Sequence, residues 1–281
     1  MGRRFRYVLV DVFTDTPLSG NQLAVFTDAR GLDAETMQAL AREMAFSETV
    51  FVLPAEGQAH ARMRIFTPAV ELPFAGHPTL GTAFVLAQPL QLVEILLEMD
   101  AGIVPVRLER EGAKIIFGWM TQPLPRWKPY ERADELLAVL GVESELPVEV
   151  YDLGPTHAFV ALRTPEEVAA LRPNFQRLLD FEPGVNCFAP AGRRWKTRFF
   201  GPQHGVSEDP ATGSAAGPLA VHLLRHGRIQ SGDEIEIEQG VEIHRPSRLF
   251  ARADGTPERI DRVEVGGSAV VVARGEFGLP D

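Results

Sequence analysis

The run Val206–Ala220 (VSEDPATGSAAGPLA) echoes an earlier one, Val70–Ala83 (VELPFAGHPTLGTA). Aligned on their acids, Glu71 to His77 match Glu208 to Ser214 in the pattern E-x-P-x-x-G-[H/S]. The copies lie 137 positions apart, about half of a 281-residue chain. Each is a loop that runs into small and apolar residues. A period of that length points to an internal duplication, so the chain should build one plan twice, each time as a loop entering an apolar helix. The length also suits two domains of about 120–150 residues.

Local patterns fill in that plan. Phe5–Phe13 and Leu23–Phe26 read as strands, and Asp33 caps a helix to about Phe46 with Met37, Leu40, Ala41 and Met44 on one face. Val50–Leu53 and Arg62–Phe66 are strands, so Glu48 falls where a helix gives way to a strand. A helix is expected from about Pro78, because proline suits the first helical position. Its stretch Thr79–Ala87 is almost free of charge and should be buried on every side. Leu92–Glu98, Gly102–Glu109 and Lys114–Met120 complete a first domain, 1–122, and Pro123–Pro129 (PLPRWKP) reads as a linker.

The second domain, 130–281, restarts the scheme. Helices are expected at Asp134–Leu140, Pro165–Leu171 and Phe175–Leu179, with strands at Val148–Leu153, Ala158–Leu162, Asn186–Ala189 and Thr197–Phe200. The second apolar helix should run to about His226 and stop at Gly227. Hairpins are expected across Gln239-Gly240 and across Gly266-Gly267. The C-terminal strand is free to join either domain. The fold class is α+β, with many strands around one apolar helix in each half.

Composition narrows the function. A formal net charge of −10 argues against a nucleic-acid or anionic-membrane surface. The single cysteine, Cys187, leaves no internal disulfide and no multi-cysteine metal site. Asp11 interrupts the apolar run after MGRRFRYVLV too early for a signal peptide or membrane span. The expectation is a cytoplasmic protein with a small-molecule partner.

The repeats also carry candidate chemistry. A helix N-terminus presents backbone N–H groups and a partial positive charge, which suit a carboxylate. Two such ends, Gly76-His77 and Gly213-Ser214, are expected to face each other across an interdomain cleft, with Glu48, His77, Asp209 and Ser214 nearby. Such a set could move a proton beside a carboxylate-bearing substrate with no metal or organic cofactor. Plainer roles stand beside this one: Glu208 and Asp209 as acids near a helix start, Ser214 as an N-cap, His77 as a turn residue. His222 and His226 are four apart, a spacing that can bind metal, but no acidic third ligand lies nearby in sequence. Arg193, Arg194 and Lys196 read as a solvated basic cluster.

Several motifs together resemble the phenazine-biosynthesis isomerases of the PhzF type. They are Gly20-Asn21 with Ala24-Val25-Phe26, Arg42-Glu43-Met44 with Ser47-Glu48-Thr49, Arg64–Pro68, Glu71–Gly81, Asn186-Cys187-Phe188, Gly192–Trp195, Glu208–Leu219 and Gln239–Ile243. The resemblance spans essentially the whole chain. It implies a diaminopimelate epimerase-like fold of two pseudo-symmetric domains, no cofactor, and a homodimer. It implies Glu48 as the acid–base, with Asn21, Ser47, Gly76, His77, Asp209, Gly213 and Ser214 binding substrate. The implied reaction isomerises trans-2,3-dihydro-3-hydroxyanthranilate to a ketone tautomer. Racemases of this fold use paired cysteines, and here those places hold Gly76-His77 and Gly213-Ser214, which excludes a two-cysteine epimerase. An isomerase of another carboxylated metabolite and a non-catalytic binding protein of this fold are the remaining alternatives.

Overall fold

The computed structural model describes residues 2–279. They form two compact units: residues 2–121 with 266–279, and Gln122–Val265. In the first unit, β1 (Arg3–Val12) pairs antiparallel with β2 (Asn21–Phe26). The helix α1 (Ala34–Met44) crosses to β3 (Glu48–Leu53), which lies parallel to β2. The Asp33 side chain caps α1 by accepting the Thr36 N–H at 2.8 Å, and the helix buries Met37, Leu40 and Ala41. β4 (Ala61–Phe66) runs antiparallel to β3, and the two-residue β5 (Glu71–Leu72) folds back on β4. Next come α2 (Gly76–Leu90), β6 (Glu94–Met99) parallel to β4, then β7 (Gly102–Glu111) and β8 (Lys114–Thr121), each antiparallel to its predecessor.

The long apolar helix α2 is buried through most of its length, as its lack of charge requires. Gly81 lets it approach the sheet, since a Cβ there would lie 2.7 Å from both Leu23 and Val12 side chains. It begins at Gly76, two residues before the expected Pro78. Pro78 still falls in the first turn, where its missing N–H costs no intrahelical bond.

The second unit repeats the pairing scheme. Its elements are β9 (Arg126–Pro129), α3 (Ala133–Leu140), β10 (Glu149–Asp152), β11 (Thr156–Ala161), α4 (Pro165–Ala170), α5 (Phe175–Leu178), β12 (Gly184–Ala191), β13 (Arg194–Gly201), β14 (Val206–Asp209), α6 (Gly213–Arg225), β15 (Glu234–Gln239), β16 (Ser247–Gly255) and β17 (Ile260–Gly267). The chain closes with β18 (Ala269–Leu279). Strands β10 and β11 are antiparallel, β11–β12 parallel, β12–β13 antiparallel, β13–β15 parallel and β15–β16 antiparallel. The same succession runs from β1 to β7. Strand β14 folds back on β13 as β5 does on β4, each just before its apolar helix. The duplication therefore extends from one short motif to the whole strand order.

A matched ion pair anchors both copies. Arg64 grips Glu71 with two bonds of 2.6 Å, and Arg198 grips Glu208 with bonds of 2.8 and 2.7 Å. Each guanidinium also lies over the ring two residues on, Phe66 at 5.1 Å and Phe200 at 5.0 Å. The leading glutamate of E-x-P-x-x-G-[H/S] is thus the anchor that ties the short strand to its neighbour. The Arg64 and Glu71 side chains are 22% and 31% exposed, so solvent screens the first pair. Glu71→Ala is expected to lower stability by only about 1 kcal/mol in urea titration.

Three expectations need correction. Pro123–Pro129 is only partly a linker, because Arg126–Pro129 pairs with β10 and Trp127 stacks on Tyr151. Gln239-Gly240 is not a hairpin turn: β15 pairs with Ser247–Gly255, and Val241–Ile243 is a single 3₁₀ turn. Gly266-Gly267 continues β17, and β18 pairs antiparallel with β1 from Arg3↔Leu279 to Val12↔Ala269. That long-range pairing brings the C-terminal strand into the first unit, so the second ends at Val265 and not at 281.

Candidate active-site residues

In the first unit, parallel pairing sets the start of β3 beside the start of β2, with Leu23 opposite Glu48. Asn21 opens β2, Ser47 immediately precedes β3 and Glu48 opens it, and His77 is the second residue of α2. Ser47 Oγ donates to Asn21 Oδ1 at 2.9 Å, which turns the amide nitrogen toward His77 Nδ1 at 3.2 Å. The other ring nitrogen, Nε2, lies 3.4 Å from Glu48 Oε2, and the tautomer decides which of the two carries the proton. The sequence motifs Gly20-Asn21, Ser47-Glu48 and Gly76-His77 thus meet at one end of one sheet.

His77 is 3% exposed. Burial pushes its pKa down to about 3, against a smaller opposing effect from a backbone hydrogen bond with Gln22. It therefore stands beside Glu48 as a neutral imidazole. Gly76 begins α2 after Ala75, which has no side-chain cap to offer the first N–H groups.

In the second unit, Asp209 ends β14 and its Oδ2 accepts the Thr212 hydroxyl at 2.6 Å. Thr212 occupies the N-cap position of α6 but makes no capping bond, since its hydroxyl serves Asp209. Gly213 starts the helix and Ser214 is its second residue, not its cap. The Ser214 Oγ lies 3.0 Å from Nε2 of His157, the second residue of β11. His157 is buried, and burial drives its pKa down to about 3, with His204 lowering it further and Asp152 opposing. The two units thus share a further device: a polar side chain at the start of one strand holds the second residue of the apolar helix.

Both histidines make stability depend on pH in one direction. Unfolded imidazole titrates near 6.5, and the folded rings stay neutral to about 3. Below pH 6.5 the unfolded chain binds protons that the native state refuses, so stability is full above 6.5 and falls toward pH 3. Each histidine contributes a slope of about 1.4 kcal/mol per pH unit in that window. His157→Gln is expected to remove one such slope from urea titrations run between pH 4 and 6.5, and an unchanged slope would refute the assignment.

His157 has no place in the sequence motifs, and Thr212 and Gln239 occur there only within longer stretches. His157 left one clue, an imidazole within the otherwise apolar segment AFVAL and its flank. Cys187 lies buried in β12, where burial pushes its thiol up to about 12.

His222 and His226 gain an acid from a distant strand. Glu149 of β10 brings a ligand atom within 4.8 Å of both. Its Oε2, however, already accepts from His222 Nδ1 and His226 Nε2 at 3.2 Å, from Tyr151 at 2.9 Å, and from Arg225. Burial would raise the Glu149 pKa, but these bonds outweigh it and hold the carboxyl well below its usual range. A metal ion there would meet the guanidinium charge, so the cluster reads as a buried counterion network. The supposed solvated basic cluster also changes, because Lys196 is buried and bonds Glu242 at 2.7 Å.

The fold is α+β of the diaminopimelate epimerase type. The chain matches the family described as phenazine biosynthesis-like protein over residues 10–275, and it belongs to that family. Its curated relatives include the trans-2,3-dihydro-3-hydroxyanthranilate isomerase of Pseudomonas aeruginosa, 52% identical, with 98% of this chain and 99% of the relative covered. Among solved structures, the PhzF-family phenazine biosynthesis protein of Bacillus anthracis superposes with a TM-score of 0.85 at 26% identity, covering 98% and 99% of the two chains. A hydroxyproline epimerase from Agrobacterium vitis shares the fold alone, with a TM-score of 0.68 at 14% identity and coverage of 100% and 95%.

Proposed function

We propose that this protein is a trans-2,3-dihydro-3-hydroxyanthranilate isomerase of phenazine biosynthesis, with Glu48 as its acid–base. The identity to the Pseudomonas aeruginosa isomerase across nearly the full length of both chains carries this reading. Glu48 as carboxylate takes the proton from C3 and returns it as acid to C1 of the conjugated ring. The resulting enol relaxes to the ketone, with no change of oxidation state and no cofactor. A single carboxylate serving two carbons on one face suits isomerisation better than stereoinversion.

The surrounding residues have separate tasks. Neutral His77 holds a polar group of the substrate beside Glu48, and Asn21 and Ser47 fix its ring through their hydrogen bonds. Asp209 binds an amino or hydroxyl function. The N–H groups at Gly76-His77, where α2 begins, suit the substrate carboxylate, and Gly213-Ser214 offer the same kind of group at the start of α6. The assembly is a homodimer, which sedimentation of the purified protein would read directly.

Incubation of the purified protein with the compound tests the reading. Consumption with formation of the ketone is the expected outcome, followed by chromatography. His77→Gln is expected to reduce kcat/KM by about tenfold to a thousandfold, through loss of the buried, oriented imidazole at the reacting centre. A folded protein that leaves the compound untouched would point to another carboxylated substrate.

A further inference from the structure

We propose that Gln239 is a positioning residue that aims the Asp209 carboxylate, acting through the Thr212 hydroxyl. This rests on the reading of Asp209 as a substrate-binding group. Two backbone groups settle which way the Gln239 amide faces. Its Oε1 accepts the Thr212 N–H at 3.3 Å, and its Nε2 donates to the Asp209 carbonyl at 2.8 Å. The Thr197 hydroxyl also donates to Oε1, at 3.2 Å. With the amide so fixed, Nε2 must donate to Thr212 Oγ1 at 3.0 Å. The Thr212 proton is thereby directed away from Gln239 and toward Asp209 Oδ2, at 2.6 Å.

The relay is buried. Gln239 is 2% exposed, and Thr197, Thr212 and Asp209 are buried with it. Low dielectric strengthens such a chain and makes its direction costly to reverse. The next residue closes the clamp. Gly240 has φ +77°, and a Cβ there would lie 2.6 Å from the carbonyl of Pro210, inside the loop that joins Asp209 to α6. Only glycine lets the chain press on that loop. The Gln239-Gly240 pair that looks like a turn is thus a brace for the Asp209 loop.

The test compares kcat and KM with melting temperature in a small set of variants. Gln239→Glu keeps the shape but replaces the donor with an acceptor, so the Thr212 hydroxyl no longer has a forced direction. It is expected to raise KM about tenfold or more, with a smaller change in kcat. Thr212→Val should match that effect and Thr212→Ser should spare it. Placing Gln239→Glu on the Thr212→Val background should add little, because both act through one hydroxyl. If Gln239→Glu does not fold, the contrast between Thr212→Val and Thr212→Ser decides.

An unchanged KM in folded Gln239→Glu, or full additivity with Thr212→Val, would overturn the proposal. So would equal KM values for Thr212→Val and Thr212→Ser. Asp209→Asn separates the two levels of failure. If it leaves KM unchanged, the substrate-binding role of Asp209 is wrong. If it raises KM while Gln239→Glu does not, only the positioning role is wrong.

Discussion

Glu48→Gln is expected to lower kcat by about 10²- to 10⁴-fold, the range carried by a positioned proton-transfer group. The amide is nearly the same size as the carboxylate, so the fold should survive. Glu48 opens β3, and its neighbour in the sheet is set by backbone pairing with β2, not by the carboxylate. The amide still offers an oxygen toward His77 Nε2, now 3.4 Å from the carboxylate. Lost activity would therefore report lost proton transfer and not a collapsed site. Single-turnover assays with a matched melting curve check this. A folded Glu48→Gln variant of near-normal activity would remove Glu48 from the mechanism.

The second large effect falls on an acid beside a proposed ligand. Glu208→Ala is expected to cost about 3–5 kcal/mol of stability, because it strands a buried guanidinium. The Arg198 and Glu208 side chains are 6% and 8% exposed, and Arg198 also donates to the carbonyls of Val168, Ala169 and Leu171. Those bonds keep the arginine in place and leave its charge uncompensated when Glu208 goes. Urea titration reads the loss, and the more exposed Arg64–Glu71 pair sets the contrast. Per folded molecule, kcat/KM should change far less in Glu208→Ala than in Asp209→Asn. If the order is reversed, the roles of the adjacent acids have been exchanged.

What the sequence made legible depended on the range of the interaction. The cap at Asp33, the apolar helices and most strands follow from local residue choice, and each is found within a few positions of where the pattern places it. The seven-residue repeat pointed to the doubled plan, and the strand succession carries it through both units. Gln239-Gly240 misled because Gln-Gly between β-like runs satisfies a local turn rule. Its amide is instead committed to Thr197, Asp209 and Thr212, at least 27 residues away in sequence. The pairing of β18 with β1 was likewise beyond any local signal, since its partners lie at opposite ends of the chain.

The same limit applies to the candidate site. Asn21, Ser47, Glu48 and His77 are recognisable by motif, but the hydrogen bonds from Ser47 through Asn21 to His77, with Glu48 alongside, exist only because β2 and β3 run parallel. His157 stayed hidden because its bond to Ser214 joins residues 57 positions apart. Arg64 and Arg198 show the converse: once the strands fold back, the repeated glutamates are seen to be anchors.

The central claim is a proton moved between two carbons of one substrate. The direct measurement is incubation of the wild-type protein with trans-2,3-dihydro-3-hydroxyanthranilate in heavy water, read by NMR. Consumption with deuterium appearing at C1 is the result expected of an enzyme whose Glu48 exchanges its proton with solvent. A folded protein that neither consumes the compound nor labels C1 would contradict the assignment.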